Sequence, residues 1–449
     1  MFASIIALFA TAIAHAGVKH VLTSRKFMEK MNFELDTNVV YLEDLAPKVT
    51  LVNKLMGVIG SYAVPGAWLA SALGVSKIPG DEIMTVIFTS GSTGVPKGVL
   101  LTHRNVATNV TAIDQIVRLN SKDVILGILP FFHSFGYSIT MWSVAGLDIA
   151  GVYHFNPLDA KIVGKLCKEN QGTVLLSTPT FLRGFIRRVE SDEFATLDVV
   201  VTGAEKLPPD ICDAFEAKFK VRPVEGYGTT ELSPLVSVNV PPSRSSNINQ
   251  VDRKEGTVGR PVPGVSAKIT DLDTGAELPV ETPGMLWIKG PNVMKGYLGR
   301  EDLTRDVIQD GWYKTGDVAL IDRDGFIRIT GRVSRFSKIA GEMVPHIQIE
   351  EEINRLLGAA EEGEIKAAVT AVPDSKKGER LIVIHLPMLT TPQQIVQGLI
   401  DAKLPNLFIP SPDSFIETQQ LPILGSGKLD LKAIHDLAEK RFGQPPAQS

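Results

Sequence analysis

Five segments between positions 124 and 219 constrain the fold more tightly than anything else in this chain. Residues 124–129 (Val-Ile-Leu-Gly-Ile-Leu) form an apolar run that stops at Pro130. Residues 159–169 carry helical spacing, with Asp159 near the start. Residues 173–176 and 197–201 are two more short apolar runs, and residues 208–219 read as a helix with proline in its first turn. Short apolar runs bounded by turn residues are buried strands. Strands that alternate with helices in this way predict a doubly wound α/β domain.

The pattern changes twice downstream. From Thr257 the strands are short and punctuated by Pro263-Gly264, Pro283-Gly284, Asp310-Gly311 and Asp324-Gly325, the turn pairs of a β-rich unit. Beyond Gly331-Arg332, residues 347–357, 391–402 and 429–441 read as helices, and 365–372 and 380–386 as strands. That is a small α+β domain. The expected division is 1–256 for the α/β core, 257–332 for the β-rich subdomain and 333–449 for the small C-terminal domain. A chain of 449 residues can bury cores in two or three such units.

Thr89-Ser90-Gly91-Ser92-Thr93-Gly94-Val95-Pro96-Lys97-Gly98 follows the apolar run 83–88. Glycines let backbone N–H groups approach a polyphosphate, hydroxyls donate further hydrogen bonds, and the lysine supplies charge. A Walker A loop needs Gly-Lys-Ser/Thr opening a helix; here Lys97 sits between Pro96 and Gly98. Taken alone, a Gly/Ser-rich run is more often a plain loop.

The net charge of −4 and the lack of a long basic run give no footing for nucleic acid. Cys167 and Cys212 are the sole cysteines, which excludes a disulfide framework and zinc-type spacing and points to a reducing, cytoplasmic setting. Two apolar stretches need a place. Residues 2–17 lack the positive n-region of a signal peptide and read as a buried helix of the α/β domain. Residues 55–76 carry no charge. Their favoured reading is a buried helical hairpin. The competing one is a surface segment dipping into a lipid interface, which would make the protein peripheral to the inner face of the membrane.

Several further segments carry polar residues and glycines that a pure core would not need. They are Leu129 to Gly136 with His133, Thr202-Gly203-Ala204-Glu205, Glu225-Gly226-Tyr227-Gly228-Thr229-Thr230-Glu231, Tyr313-Lys314-Thr315-Gly316-Asp317, Gly331-Arg332, and Leu421 to Lys428. Each has an ordinary explanation. Asp317 could serve a turn, Glu231 a helix start, Tyr227 and His133 a core, and Lys428 a solvated loop. In this order and at these intervals, from about Ala16 to the C-terminus, they resemble the AMP-forming adenylate synthetases: acyl-CoA synthetases, luciferases and peptide-synthetase adenylation domains. More narrowly, residues 329–346 and 18–27 are similar to the acyl-carrier-protein synthetase part of bifunctional 2-acylglycerophosphoethanolamine acyltransferase/acyl-ACP synthetases. The acyltransferase half is absent, and the resemblance implies several tens more residues before Thr89 than this chain has, so the first subdomain is expected to be incomplete.

The resemblance implies a chemistry. A carboxylate attacks the α-phosphate of ATP, pyrophosphate leaves, and a thiol of CoA or acyl carrier protein then takes the acyl group from acyl-AMP. Both first reactants are anionic, so the site must cancel their repulsion and hold them in line. By that resemblance Thr89, Ser90, Gly91, Ser92, Thr93, Gly94 and Lys97 embrace the departing phosphates. Thr230 contacts phosphate, and Glu231 binds Mg²⁺. Gly203, Ala204, Glu205 and Gly228 belong to the ATP/AMP site, and Gly226 and Tyr227 face the adenine, with Tyr227 stacking on it. Asp317 takes the ribose hydroxyls, Arg332 the ribose or α-phosphate, and Lys428 bridges carboxylate and α-phosphate. Ser334 stands at the hinge of a swinging C-terminal domain, where many relatives carry Asp or Lys. His133 occupies the place of the Asp that grips an amino-acid substrate's ammonium in adenylation domains, which disfavours amino acids. The apolar run 136–152 suits an alkyl tunnel, or equally a buried helix. The expected substrate is a medium- or long-chain fatty acid. The competing expectation is a catalytically impaired, membrane-associated fragment that binds nucleotide or acyl chains without turnover.

Overall fold

The computed structural model describes residues 12–31, 35, 37–89, 96–241, 243–245, 251–358, 365–374, 376–423 and 429–442. Its centre is a seven-stranded sheet. Val224–Gly228, Val199–Thr202, Val174–Ser177, Val124–Gly127 and Ala150–Tyr153 run parallel in that spatial order. Leu235–Val238 and Arg260–Pro261 extend it antiparallel at one edge. Both Val174–Ser177 and Val199–Thr202 are buried at every residue. A parallel strand covered on both faces can afford no alternation, which is why these segments read as continuous apolar runs.

Helices Ala160–Asn170, Pro179–Arg188 and Pro209–Phe219 pack one face, where Cys167, Leu182, Phe185 and Phe215 are fully buried. The opposite face is covered by His103–Val117 through Ala112, Ile113 and Val117. Helices on both faces of a mostly parallel sheet make the doubly wound α/β layer that the sequence predicts. Both cysteines are buried, and burial pushes each thiol up to about 11, so neither is a reactive thiolate.

Five antiparallel strands form the β-rich part: Ser266–Thr270, Gly284–Lys289, Ile308–Gln309, Trp312–Ile321 and Ile327–Arg332. Beyond them lies a unit with its own cores. Strands Ala367–Asp374, Gly378–His385 and Phe415–Glu417 pair in one sheet. His346–Leu356 and Pro392–Asp401 contribute Ile349, Ile353, Ile395 and Leu399 to one core, and Leu431–Phe442 contributes Ile434 and Ala438 to the other. Exposed ion pairs Lys206–Glu351 (3.0 Å) and Lys338–Asp273 (3.1 Å) reach back from this unit to the larger one. Such pairs hold little, typically below about 1 kcal/mol each.

One sequence expectation is corrected. The uncharged stretch does form a helical hairpin, Leu51–Ala63 followed by Gly66–Ala72, but neither helix contains a buried residue. Apolar composition states what a segment gains by being covered, not what covers it. The run 136–152 follows the helical alternative over most of its length. It is a π-helical segment, Phe135–Trp142, then a short helix, Ser143–Gly146, and the edge strand. Gly136 is required there, because a Cβ would lie 2.3 Å from the Pro130 carbonyl oxygen. Of the apolar stretch 2–17, residues 2–11 lie outside the described residues.

Candidate active site

The polar segments converge because each follows the carboxyl end of a parallel strand. Residues 129–136 follow Val124–Gly127, Gly203-Ala204-Glu205 follows Val199–Thr202, and Thr229-Thr230-Glu231 follows Val224–Gly228. In open α/β sheets the crevice outside those strand ends, where strand order reverses, is where ligands bind. Here the chain goes from Val124–Gly127 outward to Ala150–Tyr153, then back across to Val174–Ser177.

Close packing of small residues forms the floor. A Cβ on Gly203 would meet the Phe135 ring at 3.3 Å and the Gly226 carbonyl oxygen at 3.5 Å, and one on Gly228 would lie 2.1 Å from the Pro234 carbonyl oxygen. Ala204 takes a left-handed φ of 69° to turn the chain. Glu205 accepts a hydrogen bond from Thr180 Oγ1 at 2.8 Å. Burial raises the Glu225 carboxyl, which accepts the Leu207 amide at 3.1 Å.

Asp317 forms one wall. The register of Trp312–Ile321 with Ile327–Arg332 puts Asp317 directly opposite Arg332, and Arg332 Nε donates to Asp317 Oδ1 at 2.6 Å. The Asp317 amide donates to Thr315 Oγ1 at 3.0 Å, and Thr315 is tied in turn to the Leu286 carbonyl at 2.9 Å. Gly316, at a φ of 77°, allows the turn that joins them. The second Asp317 oxygen accepts the Tyr227 hydroxyl. Burial, then the neighbouring carboxylate, raises that phenol well above its usual value, so it stays protonated and donates. Asp317 beside it raises the Arg332 guanidinium further.

Glu231 forms the other wall. Tyr297 Oη donates to Glu231 Oε1 at 2.9 Å, and the Met294 amide fixes the Glu231 carbonyl at 2.8 Å. Lys97 Nζ lies over the Tyr297 ring, 5.0 Å from its centroid. Thr89 and Lys97 are paired across the hairpin of Ile83–Thr89 with Lys97–Thr102, which holds both ends of the Gly/Ser loop at this wall. Ser134 Oγ donates to Thr230 Oγ1 at 3.2 Å, bringing the His133 segment against Glu231's neighbour. The Thr229 hydroxyl is buried without a hydrogen-bond partner among the described residues. His133 is exposed, its ring centroid 4.8 Å from that of Phe132 with the planes tilted by 44°. Ser334 is exposed in the turn just after Arg332.

Contacts thus tie Gly203 to Gly226, Tyr227 and Arg332 to Asp317, Thr230 to Ser134, and Glu231 to Tyr297 beside Lys97, while Glu205 turns to Thr180. Ser90, Gly91, Ser92, Thr93, Gly94 and Lys428 lie outside the described residues. Sequence reasoning missed Tyr297. The signal was present in the glycine-tyrosine pair Gly296-Tyr297 after a polar turn, but in a β-rich stretch such a pair reads as core.

A profile of the family described as AMP-binding enzyme matches residues 9–298. The long-chain-fatty-acid–CoA ligase of Yersinia pestis is 29% identical over 395 residues, covering 82% of this chain and 68% of that protein. The mitochondrial medium-chain acyl-CoA ligase of Rattus norvegicus is 30% identical over 375 residues, 80% of this chain and 58% of that protein. Among solved structures, ATP-bound MatB from Rhodopseudomonas palustris superposes with a TM-score of 0.73 at 25% identity, covering 97% of this chain and 82% of that one. The o-succinylbenzoate CoA synthetase of Bacillus subtilis bound to its acyl-adenylate gives 0.77 at 21% identity, covering 96% and 80%, a likeness of fold.

Proposed function

Because the chain belongs to the AMP-binding enzyme family, we propose that it activates a medium- or long-chain fatty acid with ATP. The products of the first step are acyl-AMP and pyrophosphate, and the acyl group then passes to the thiol of CoA or of an acyl carrier protein. The observation that carries this reading is the pairing of the two walls: a buried carboxylate held by Tyr227 and Arg332, opposite a carboxylate held by Tyr297 beside Lys97. The first suits a ribose diol and the second a metal-bound polyphosphate. The names of the fatty-acid ligases above support the substrate class.

In this reading the carboxylate oxygen of the acid attacks the α-phosphorus and the bond to the β-phosphate bridge breaks. Asp317 accepts from the ribose hydroxyls, Tyr227 packs on the adenine, and Arg332 turns towards the ribose or α-phosphate. Thr89 to Gly94, with Lys97 and Thr230, stabilise the leaving pyrophosphate, which lowers the barrier. Glu231 fits a Mg²⁺ that takes most of its ligands from phosphate and water. The metal would neutralise phosphate charge. Lys428 bridges the two anions as a mobile point charge. His133 borders the acid. Residues 333–449 act as the lid, turning at Ser334 between half-reactions. The weak exposed ion pairs to the large domain suit such a motion. The acyl-ACP-synthetase resemblance favours carrier protein as acceptor; the curated relatives favour CoA. We place the enzyme in the cytoplasm, working at the inner face of the membrane. Nothing in the site favours the turnover-free alternative.

The test is exchange of labelled pyrophosphate into ATP with octanoate, decanoate, palmitate and oleate in turn. Exchange that depends on one of these acids is expected, and none with any of them would sink the reading. Lys428→Ala should abolish exchange while sparing thioester formation from supplied acyl-AMP; equal loss of both steps would remove the role given to Lys428.

A further inference from the structure

We propose that Tyr313 is a positioning residue: through the Tyr297 hydroxyl it sets the direction in which Glu231 presents its carboxylate to a nucleotide-bound Mg²⁺. The inference rests on the nucleotide reading of this crevice and adds to it a side chain that acts only through another.

Three sheets meet at this wall. Glu231 follows the parallel strand Val224–Gly228 of the central sheet, Tyr297 lies on the short strand Gly296–Tyr297 that pairs with Lys97–Thr102, and Tyr313 lies on Trp312–Ile321 of the β-rich sheet. Tyr297 and Tyr313 are each 4% exposed and share one core cluster. The Tyr313 hydroxyl bonds that of Tyr297, which in turn donates to Glu231 Oε1 at 2.9 Å. A phenol has one hydrogen. Tyr297 gives its own to Glu231, so its oxygen accepts and Tyr313 donates. Burial, then the Glu231 charge, raises both phenols, which keeps both hydrogens in place. A buried tyrosine hydroxyl needs some partner. What points beyond packing is that this one meets a second phenol whose other contact is a carboxylate at the crevice.

The donor end is anchored. Tyr313 pairs with Ile288 on one side and Ile308 on the other, so its strand is held at both edges. Tyr297 is held too: its amide donates to Thr304 Oγ1 at 2.9 Å, and Lys97 lies over its ring. The last torsion of a glutamate is broad. A donor that is itself held in direction narrows it, and hydrogen bonds in such a chain strengthen one another. The same strand also carries the ribose wall. Tyr313, Thr315 and Asp317 are buried along it while Lys314 is exposed. At about 3.3 Å per residue, Tyr313 and Asp317 stand at most about 13 Å apart along that strand. One element therefore sets the spacing between the carboxylate for the ribose and the anchor of the carboxylate for the metal.

The test is calorimetry on the full chain and its variants Tyr313→Phe, Tyr297→Phe and the two combined. With Mg²⁺ present, ATP affinity should fall about fivefold in Tyr313→Phe. The double variant should bind no more weakly than Tyr297→Phe, because Tyr313 acts through Tyr297. With a chelator in place of Mg²⁺, Tyr313→Phe and wild type should bind ATP equally. They should bind AMP equally as well, since a distorted strand would move Asp317 and weaken every adenine nucleotide. The proposal is overturned if Tyr313→Phe leaves Mg²⁺-dependent ATP binding intact or if the effects of the two substitutions multiply. It is also overturned if affinity for AMP and for ATP without metal falls in step, which would make Tyr313 a packing residue. A wild type that binds ATP yet exchanges no pyrophosphate with any acid would overturn the fatty-acid reading and leave this role standing. A wild type that binds no ATP would overturn both.

Discussion

The crevice and the N-terminal hairpin depart from the usual inside-outside rule in opposite directions. The crevice hides a charged group: Asp317 is almost wholly buried, with Tyr227 and Arg332 on its two oxygens. The hairpin exposes large apolar groups along a whole helix face. Exposed single leucines and buried valines carry little information, whereas a buried carboxylate or a continuous exposed apolar face does. The difference lies in what satisfies each. Asp317 is already satisfied by side chains that a nucleotide can replace or join. Neither helix of the hairpin buries a residue. One region gathers polar side chains around a buried carboxylate, and the other leaves apolar side chains in the open.

The sharpest way to break that comparison is to remove the buried charge while keeping its shape. Asp317→Asn retains an acceptor for the Tyr227 hydroxyl but loses the carboxylate proposed to hold two ribose hydroxyls. ATP affinity, measured by calorimetry, should fall about a hundredfold, equivalent to about 2.7 kcal/mol. Thermal stability should change little. The Arg332 side chain is 57% exposed and can rehydrate when its partner goes neutral. Unchanged ATP affinity with a collapsed melting temperature would make Asp317 a structural turn carboxylate.

A smaller effect tests the opposite wall. Tyr297→Phe keeps the ring under Lys97 but deletes the hydroxyl that donates to Glu231. Groups that orient a metal-binding carboxylate typically tune affinity by ten- to a hundredfold. The Mg²⁺ concentration for half-maximal pyrophosphate exchange should rise about tenfold. An unchanged Mg²⁺ dependence would leave Tyr297 as packing alone.

How much of this was legible follows the same division. The parallel strands were readable because burial on both faces leaves nothing but apolar residues, as in Val199–Thr202. Asp317 is placed at the site by resemblance alone, since its turn by itself reads as ordinary turn chemistry; the structure adds its bonds to Tyr227 and Arg332. Tyr297 was not legible, because its meaning lies in Glu231, 66 residues earlier in the chain, and no local pattern encodes that meeting. The hairpin was read as helical and wrongly as buried. Periodicity identifies a helix and its apolar face, but burial depends on which elements pack against it, and nothing in the stretch itself names them. His133 was placed at the site on resemblance, and the contact between Ser134 and Thr230 brings its segment there.

The smallest effect concerns a buried polar group outside the crevice, and it tests whether burial of polarity always means ligand binding. His346 opens helix His346–Leu356 in the C-terminal unit, buried, with Nε2 2.6 Å from Ser337 Oγ. Burial, then the nearby Arg335 and His435, push its imidazole down to about 3. The sign follows from linkage. The folded state holds the ring neutral while the unfolded chain protonates it near 6.5, so stability is lost as pH falls from about 6.5 towards about 3. Between about pH 6.5 and about pH 5.5 the loss should be about 1 kcal/mol. Glu350, whose carboxyl is raised by burial despite its pairing with Arg335, works in the opposite direction, so the informative quantity is the difference between wild type and His346→Gln. Chemical denaturation across that range should show a wild-type decline that the variant lacks, with ATP affinity equal in both. If ATP affinity followed the His346 titration instead, the C-terminal unit would be coupled to the nucleotide through this histidine, and buried polarity would signal ligand binding on both sides of the hinge.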